Sequence, residues 1–148
     1  MYKHILIATD GSRLATKGIK AGVKLAAALG AKLTGVCVVP PWRTPVYSEG
    51  ITYGVPRSPA QHKEAMEKAA RKALAVLEIE AETAKLACAL EIVTAERPWE
   101  GILRVAKAKR CDLVSMTSHG RGGLKGLLLG SETTHVLARS KIPVLVTR

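Results

Sequence analysis

Short apolar runs alternate along this chain with segments of helical periodicity, and this alternation limits the fold more than any other feature. Between the first two runs, apolar or small residues from Ala15 to Leu29 recur at the spacing of one helix face. Strands separated in this way pair in parallel through right-handed crossovers. The sequence therefore predicts an α/β fold: a three-layer open twisted sheet of five parallel strands in the order 3-2-1-4-5, with helices on both faces. The predicted strands are 4–9, 33–39, 90–94, 113–116 and 144–146.

Single residues mark where the helices should begin and end. Gly30 suits the C-cap of the first helix, Pro98 the first turn of the third, and Ser131 the N-cap of the fourth. A long second helix is predicted from about Pro59 to Ala87, and Met66 lies on the stripe that we expect to pack in the core rather than against a cofactor.

Length and charge narrow the possible classes of protein. At 148 residues the chain fits one domain, 1–148. No apolar run approaches the roughly 18 residues of a membrane helix, and the N-terminus lacks a signal-peptide layout, so we expect a cytoplasmic protein. The net charge of +11 suits an anionic partner. Nucleic acid is not favoured, because the basic residues are spread along the chain and aromatic residues for base stacking are few.

The cysteines and histidines have no spacing typical of a metal site. Cys37, Cys88 and Cys111 are odd in number, and we interpret them as small buried hydrophobic residues in a reducing compartment. The four histidines show no ligand spacing either. No metal site built from protein ligands alone is predicted.

Three loops that follow predicted strands carry the candidate site. They are Thr9 to Ser12, Val38 to Pro41, and the glycine-rich stretch from Thr117 to Ser131. Ligands of doubly wound sheets bind at the carboxyl ends of the strands, beside the reversal of strand order. The predicted topology brings these three loops to one edge of the sheet.

The loop from Thr117 to Ser131 connects a strand to the N-terminus of a helix. Glycine lets a ligand approach the backbone closely, and the free amides of a helix N-terminus favour an anion. A phosphate loop and a flexible β-to-α connection are both open interpretations. The Walker pattern is absent, and the dinucleotide pattern fails because Lys125 holds its third glycine position. Arg121 and Lys125 are candidates to face phosphates.

No catalytic set is evident, and no catalytic residue is predicted. Ser118 and His119 are adjacent, but no nucleophile elbow or acid completes a triad. Asp10 could hold ribose hydroxyls or a metal ion, or it could cap the helix that starts near Ser12. Residues 40–59 hold five of the seven prolines, and we expect a partly ordered flap there.

Several of these stretches together resemble the universal stress protein family over nearly the whole chain. The residues that carry the resemblance are Ile5 to Ser12, Cys111 to Met116, Ser118 to Leu124, Leu129 to Ser131, and Ile142 to Val146. The resemblance implies a five-stranded α/β fold, usually a homodimer, and in one branch ATP bound, with magnesium expected, through Gly-x₂-Gly-x₉-Gly-Ser/Thr. It implies these nucleotide-binding residues: Ala8, Thr9, Asp10, Val38, Met116, Thr117, His119, Gly120, Arg121, Gly130, Ser131, Glu132 and Thr133.

The chain departs from the family motif at one position. Gly120, Gly130 and Ser131 match it, but Thr117 stands where the first glycine is expected. A left-handed backbone at that position would cost threonine roughly 1–2 kcal/mol, whereas an extended backbone would accommodate it.

The resemblance favours an ATP-binding sensor or regulator of the stress response with at most slow hydrolysis. A dimeric interaction protein of the same fold that binds no nucleotide is one alternative. An enzyme of the wider adenine-nucleotide hydrolase group is another, although its Ser-Gly-Gly-x-Asp-Ser type of loop is missing. The last strand, Val144, Leu145 and Val146, should form a sheet edge through which two copies pair.

Overall fold

The order of strands and helices agrees with the alternation in the sequence. In a computed structural model, which describes residues 1–44, 57–119 and 129–148, five strands alternate with four helices. The elements are β1 (His4–Ala8), α1 (Arg13–Leu29), β2 (Lys32–Val39), α2 (Pro59–Thr83), β3 (Cys88–Thr94), α3 (Pro98–Ala108), β4 (Leu113–Thr117), α4 (Ser131–Arg139) and β5 (Val144–Thr147).

All of the strand pairs are parallel, and the sheet order is β3-β2-β1-β4-β5. The predicted order 3-2-1-4-5 is therefore confirmed. The order reverses between β1 and β4, where β1 pairs with both β2 and β4: Ile5 is opposite Leu33 on one side and Leu113 on the other.

The hydrophobic core has two layers because successive side chains of a strand point to opposite faces of the sheet. Ile5 and Ile7 of β1 pack in a cluster with Ile19 of α1 and Leu77 of α2. Leu6, which lies between them, packs on the other face in a cluster with residues of α3 and α4, including Ile102 and Val136. Helices therefore cover both faces of the sheet.

Two of the predicted helix ends, at Gly30 and Pro98, are confirmed, and two, at Ser131 and Ala87, are wrong. Gly30 is in the left-handed conformation at the end of α1 (φ 63°), and Pro98 is the first residue of α3. The predicted N-cap Ser131 is instead the first helical residue of α4, and Gly130 is the N-cap. The second helix ends at Thr83, four residues before the predicted Ala87.

The three cysteines are free, and two are buried as predicted. Cys37 and Cys111 are buried, whereas Cys88, at the start of β3, is half-buried. None of the described helices combines the length and the apolar character that crossing a membrane would require. Part of the predicted flap (45–56) and the residues 120–128, including Gly120, Arg121 and Lys125, lie outside the described residues.

Candidate functional site

A cleft of about 530 Å³ opens at the carboxyl ends of β1, β2 and β4, beside the reversal of strand order. Its volume is typical of pockets that hold small molecules. The predicted site residues that line it are Ala8, Thr9, Asp10, Val38, Met116, Thr117, His119, Gly130, Ser131, Glu132 and Thr133. The rest of the predicted set, Gly120 and Arg121, lies outside the described residues.

The first corner of the cleft is the turn from β1 into α1. The Ser12 Oγ accepts a hydrogen bond from the Ala15 N–H at 3.1 Å, so Ser12 is the N-cap of α1. The Asp10 carboxylate accepts from the Ser12 N–H at 2.9 Å, and Gly11 takes a positive φ of 77°. Asp10 therefore shapes the turn that leads to the cap, while its side chain also borders the cleft.

The second corner begins at Thr117, the position at which the chain departs from the family motif. Thr117 is the last residue of β4 and pairs with Thr147 of β5. Lys85 and Arg110 are the non-glycine residues with positive φ among the described residues, so the backbone at Thr117 is not left-handed. The strain considered for threonine at this position is therefore absent.

The Thr117 side chain is held by neighbours on two sides. Its Oγ1 donates to the His119 carbonyl at 2.8 Å. Its methyl group lies against α1 at Gly18, where an added Cβ would come within 2.5 Å of Thr117 Cγ2. Gly18 thus leaves the space that the Thr117 methyl occupies.

The start of α4 is anchored to the end of β4 by hydrogen bonds. Thr133 Oγ1 donates to the Thr117 carbonyl at 2.9 Å and to the Ser118 carbonyl at 3.2 Å. The Gly130 N–H donates to the same Ser118 carbonyl at 2.6 Å. Gly130 has an ordinary extended backbone (φ −71°, ψ 158°). The local reason for glycine is space, because an added Cβ would lie 3.1 Å from the Ser118 carbonyl oxygen.

The N-terminus of α4 borders the cleft. The first amides of a helix have no partner within the helix, and the N-cap residue of α4, Gly130, has no side chain with which to cap them. Ser131, Glu132 and Thr133, the first three residues of the helix, all line the cleft. Together with the helix dipole, such amides attract an anion.

The Glu132 side chain has a role that the sequence does not reveal. Its Oε2 accepts a hydrogen bond from the backbone N–H of Trp99 at 2.9 Å, in the first turn of α3. The N-cap of α3, Arg97, makes no capping hydrogen bond of its own. Glu132 therefore caps α3 from α4, a contact across 33 positions that only the packing of the two helices creates.

Ser118 and His119 are linked but do not form a nucleophile and base that a ligand could reach. Ser118 Oγ lies 3.1 Å from His119 Nδ1, yet Ser118 is buried. The His119 Nε2 is also buried and has no hydrogen-bond partner in the described part of the chain. A serine protected in this way cannot attack a ligand in the cleft.

Most residues of the apolar wall of the cleft were not predicted from the sequence. Met66 was expected in the core, but it is half-buried and lines the cleft. It lies one helical turn before Ala70, where the buried stretch of α2 begins. Cys37 was expected to be a buried hydrophobic residue; it is buried and also lines the cleft. Val39 and Pro40 line the cleft within the predicted loop from Val38 to Pro41, and the other lining residues that were not predicted are Val36, Ala69, Ala70, Pro98 and Ile102.

The cleft thus joins two different environments. Valines, alanines and methionines form one part of its wall, and the N-terminus of α4 forms another. A ligand with a flat, weakly polar body and an anionic group would match both.

The fold and this cleft define a doubly wound α/β domain with a ligand cleft at the reversal of strand order. The chain belongs to the universal stress protein family, whose pattern it matches over residues 1–148. It is 30% identical, over 100% of both chains, to the universal stress protein in the QAH/OAS sulfhydrylase 3′ region of Thermus aquaticus.

Solved structures of the family have the same fold. A universal stress protein from Burkholderia pseudomallei superposes with a TM-score of 0.76 at 26% identity, covering 99% of this chain and 96% of that one. A universal stress protein in complex with cAMP superposes with a TM-score of 0.69 at 26% identity, covering 99% and 97%.

Proposed function

We propose that this protein is a cytoplasmic universal stress protein that binds ATP with Mg²⁺ in the cleft and acts as a sensor or regulator of the stress response. The observation that carries the proposal is the convergence of the predicted nucleotide residues of the described ranges on one cleft, at the N-terminus of α4. The proposed site residues are the thirteen named above, with Gly120 and Arg121 among them.

The shape and chemistry of the cleft fit an adenine nucleotide. The apolar part, with Val38, Met66 and Met116, suits a purine ring, and the amides at the start of α4 suit phosphates. Asp10 borders the same space and has a carboxylate that could meet ribose hydroxyls or a metal ion. The cAMP complex of a relative at 26% identity supports the same class of ligand.

The proposed role is regulatory rather than catalytic, and any hydrolysis is expected to be slow. Ser118 is buried, and His119 Nε2 contacts no acid in the described ranges. We therefore propose no catalytic residue. Nucleotide binding would instead act by changing the assembly of the protein or its protein partners.

Calorimetry with ATP and magnesium tests the proposal. The wild type should bind, and Gly130→Ala should lose at least about tenfold in affinity, equal to about 1.4 kcal/mol, because the added Cβ narrows the space beside the Ser118 carbonyl. Adding EDTA should weaken binding if Mg²⁺ bridges the phosphates.

Gly30→Ala is the matched control. This substitution also replaces one glycine by alanine, but no atom lies within 4 Å of the added Cβ. Gly30 is the C-cap of α1, at the end of that helix away from the cleft. It should lower stability, because φ is 63° there, and leave the affinity unchanged. Absence of binding heat at millimolar ATP would refute the proposal.

A dimeric interaction protein that needs no nucleotide is the second candidate. The observation that favours it is the edge position of β5, where Leu145 is exposed. A homodimer through Val144, Leu145 and Val146 is proposed in either case. Nucleotide released from the purified protein on denaturation, detected by its absorbance, would argue against this candidate.

A further inference from the structure

The edge of the sheet opposite the cleft carries a row of basic residues, which we call the amino edge. In a parallel sheet all strands begin at the same edge, and here each described strand begins with, or closely follows, a basic residue. These residues are Lys3 before β1, Lys32 at the start of β2, Lys85 before β3, Lys109 and Arg110 before β4, and Lys141 before β5. All of them are exposed. Basic residues that are spread along the sequence are therefore gathered by the topology.

Two of these residues are held in a backbone conformation that normally belongs to glycine. Lys85 follows α2 with φ 57°, and Arg110 follows α3 with φ 55°. Gly30, at the end of α1, has the same left-handed conformation with φ 63°. A glycine would fit all three positions without strain. Two helix ends thus carry a cation at a position where it costs conformational free energy, and both face the same edge.

Acidic side chains also lie near the amino edge, but some are already hydrogen-bonded or paired, and the basic residues are more numerous. The Asp112 carboxylate accepts from the backbone N–H groups of Lys3 at 2.8 Å and His4 at 3.0 Å. Glu91 forms an ion pair with Lys109 at 2.5 Å. Glu82, in the last turn of α2, and Glu78, which acts electrostatically on Cys88, are further carboxylates near this edge. The helix C-termini add partial negative charge, but its effect is confined to the last turn. The long basic side chains extend beyond it.

A groove of about 360 Å³ lies within the amino edge. Lys32 and Lys109 line it, and the His4 ring and the Thr34 hydroxyl, 2.7 Å apart, lie at its base. The half-buried Cys88 completes the wall. Lys32 and Lys109 therefore both border this groove, and the Lys109 ammonium group is also paired with Glu91.

We propose that the amino edge binds the phosphodiester backbone of a nucleic acid duplex without sequence preference. Flexible lysines match phosphates, and the electrostatic term alone supports binding of this kind. A single strand is disfavoured because Tyr2, the aromatic residue of the described chain nearest this edge, is partly buried against the core. A membrane is disfavoured because the exposed large apolar residues near the starts of the described strands are two separate side chains, Met1 and Leu145.

The test uses the full chain without nucleotide and a fluorescently labelled 20-base-pair DNA duplex in anisotropy titrations between 50 and 200 mM KCl. We expect binding that weakens with salt, with a slope of log K against log salt of about −4 if four or five phosphates are neutralised. The informative variant is Lys85→Gly/Arg110→Gly. It should lose at least about tenfold in affinity and about two units of slope. It should also melt at a higher temperature than the wild type, because glycine removes the strain.

Weaker DNA binding by a more stable variant could not result from partial unfolding. It would show that the side chains of Lys85 and Arg110 take part in binding. Lys17→Gln/Lys24→Gln is the control, since it removes two exposed charges from α1; its affinity and slope should stay within about twofold of the wild type. Lys3→Gln/Lys141→Gln should weaken binding independently of backbone strain.

Three results would overturn the proposal: no duplex binding at 50 mM KCl, equal losses in the control and the edge variants, or tighter binding to phosphatidylserine vesicles or to an acidic peptide than to the duplex. None of these depends on whether ATP binds in the cleft, because both surfaces lie at opposite edges of the sheet.

Discussion

Thr117 and Gly18 complement each other in size at the point where the glycine-rich loop begins. The methyl group of Thr117 fills the space that Gly18 leaves in α1, and its hydroxyl holds the His119 carbonyl. The backbone of Thr117 is extended in β4, where a β-branched residue is well accommodated. The departure from the motif glycine is thus compensated by a residue 99 positions earlier in the sequence, which no motif search would connect with it.

A double-mutant cycle tests this pair. Gly18→Ala should destabilise the protein by about 1–3 kcal/mol through overpacking, and Thr117→Gly should destabilise it by loss of the hydrogen bond and of packing. In the double variant the added methyl has room, so its free energy of unfolding should exceed the additive expectation by about 1–2 kcal/mol. Urea unfolding of the four proteins measures this coupling. Additivity within about 0.5 kcal/mol would show that the two residues are energetically independent.

At the scale of elements, His4 connects β1 to β2 and to the end of α3. Its Nε2 is 2.7 Å from Thr34 Oγ1 on β2, and its ring also bonds to the backbone of Lys109 at the end of α3. Burial lowers the pKa of His4 below 6.5, and the nearby Lys32 lowers it further, while Asp112 acts in the opposite direction. Protonation of His4 is therefore less favourable in the folded protein than in the unfolded chain.

Stability should consequently fall on acidification. Since the pKa of His4 is lower in the folded state, the unfolded state binds the proton first. The contribution is complete above pH 6.5 and is lost as the pH falls below that value towards the folded pKa. His4→Gln should show a smaller difference in the free energy of unfolding between pH 7.5 and 5.5 than the wild type, measured by urea titration. The control is His62→Gln, which removes a ring that contacts the Pro40 carbonyl. If the free energy of unfolding of this variant differs as little between the two pH values as that of His4→Gln, the assignment of the effect to His4 is contradicted.

Contacts between helices complete the cleft at the same scale. Glu132 caps α3 from the first turn of α4, and Thr133 ties α4 to the end of β4. The N-termini of α3 and α4 are thereby fixed side by side at the carboxyl edge of the sheet. This places the start of α4, whose N-cap Gly130 has no side chain to cap the helix, at the cleft.

The whole molecule has different chemistry at the two ends of its strands, and the described sheet has an edge strand on each side, β3 and β5. The cleft lies at the carboxyl edge, the basic row lies at the amino edge, and β5 is the edge strand beside β4. Leu145 is 36% exposed on that strand. An exposed edge strand is a template for pairing with a second chain, which is the basis of the proposed homodimer.

Leu145→Lys should therefore shift the protein towards the monomer, because a charge on an edge strand opposes pairing. Light scattering after size-exclusion chromatography measures the mass. Ile79→Lys is the matched control, since Ile79 is 62% exposed on α2, away from β5; it should leave the mass unchanged. A wild type that is monomeric at working concentration would refute the dimer.

The sequence predicted the cleft more completely at its polar corners than along its apolar wall. Asp10, Gly130 and Ser131 follow strands or precede a helix, so local rules place them at the carboxyl edge. Met66, Ala69 and Pro98 reach the cleft only because α2 and α3 cross the sheet at particular positions. Apolar residues have the same periodicity whether they face a core or a cavity, and no local signal separates the two.

The sequence by itself determined the order of strands and helices, the parallel sheet and the family, because periodicity, turn residues and motifs act over short distances. Only the tertiary structure decided that Thr117 is unstrained, that Glu132 caps α3 and that scattered basic residues form one edge. The reason is physical: each of these depends on which distant segments are brought into contact, and that follows from the packing of the whole sheet and its helices.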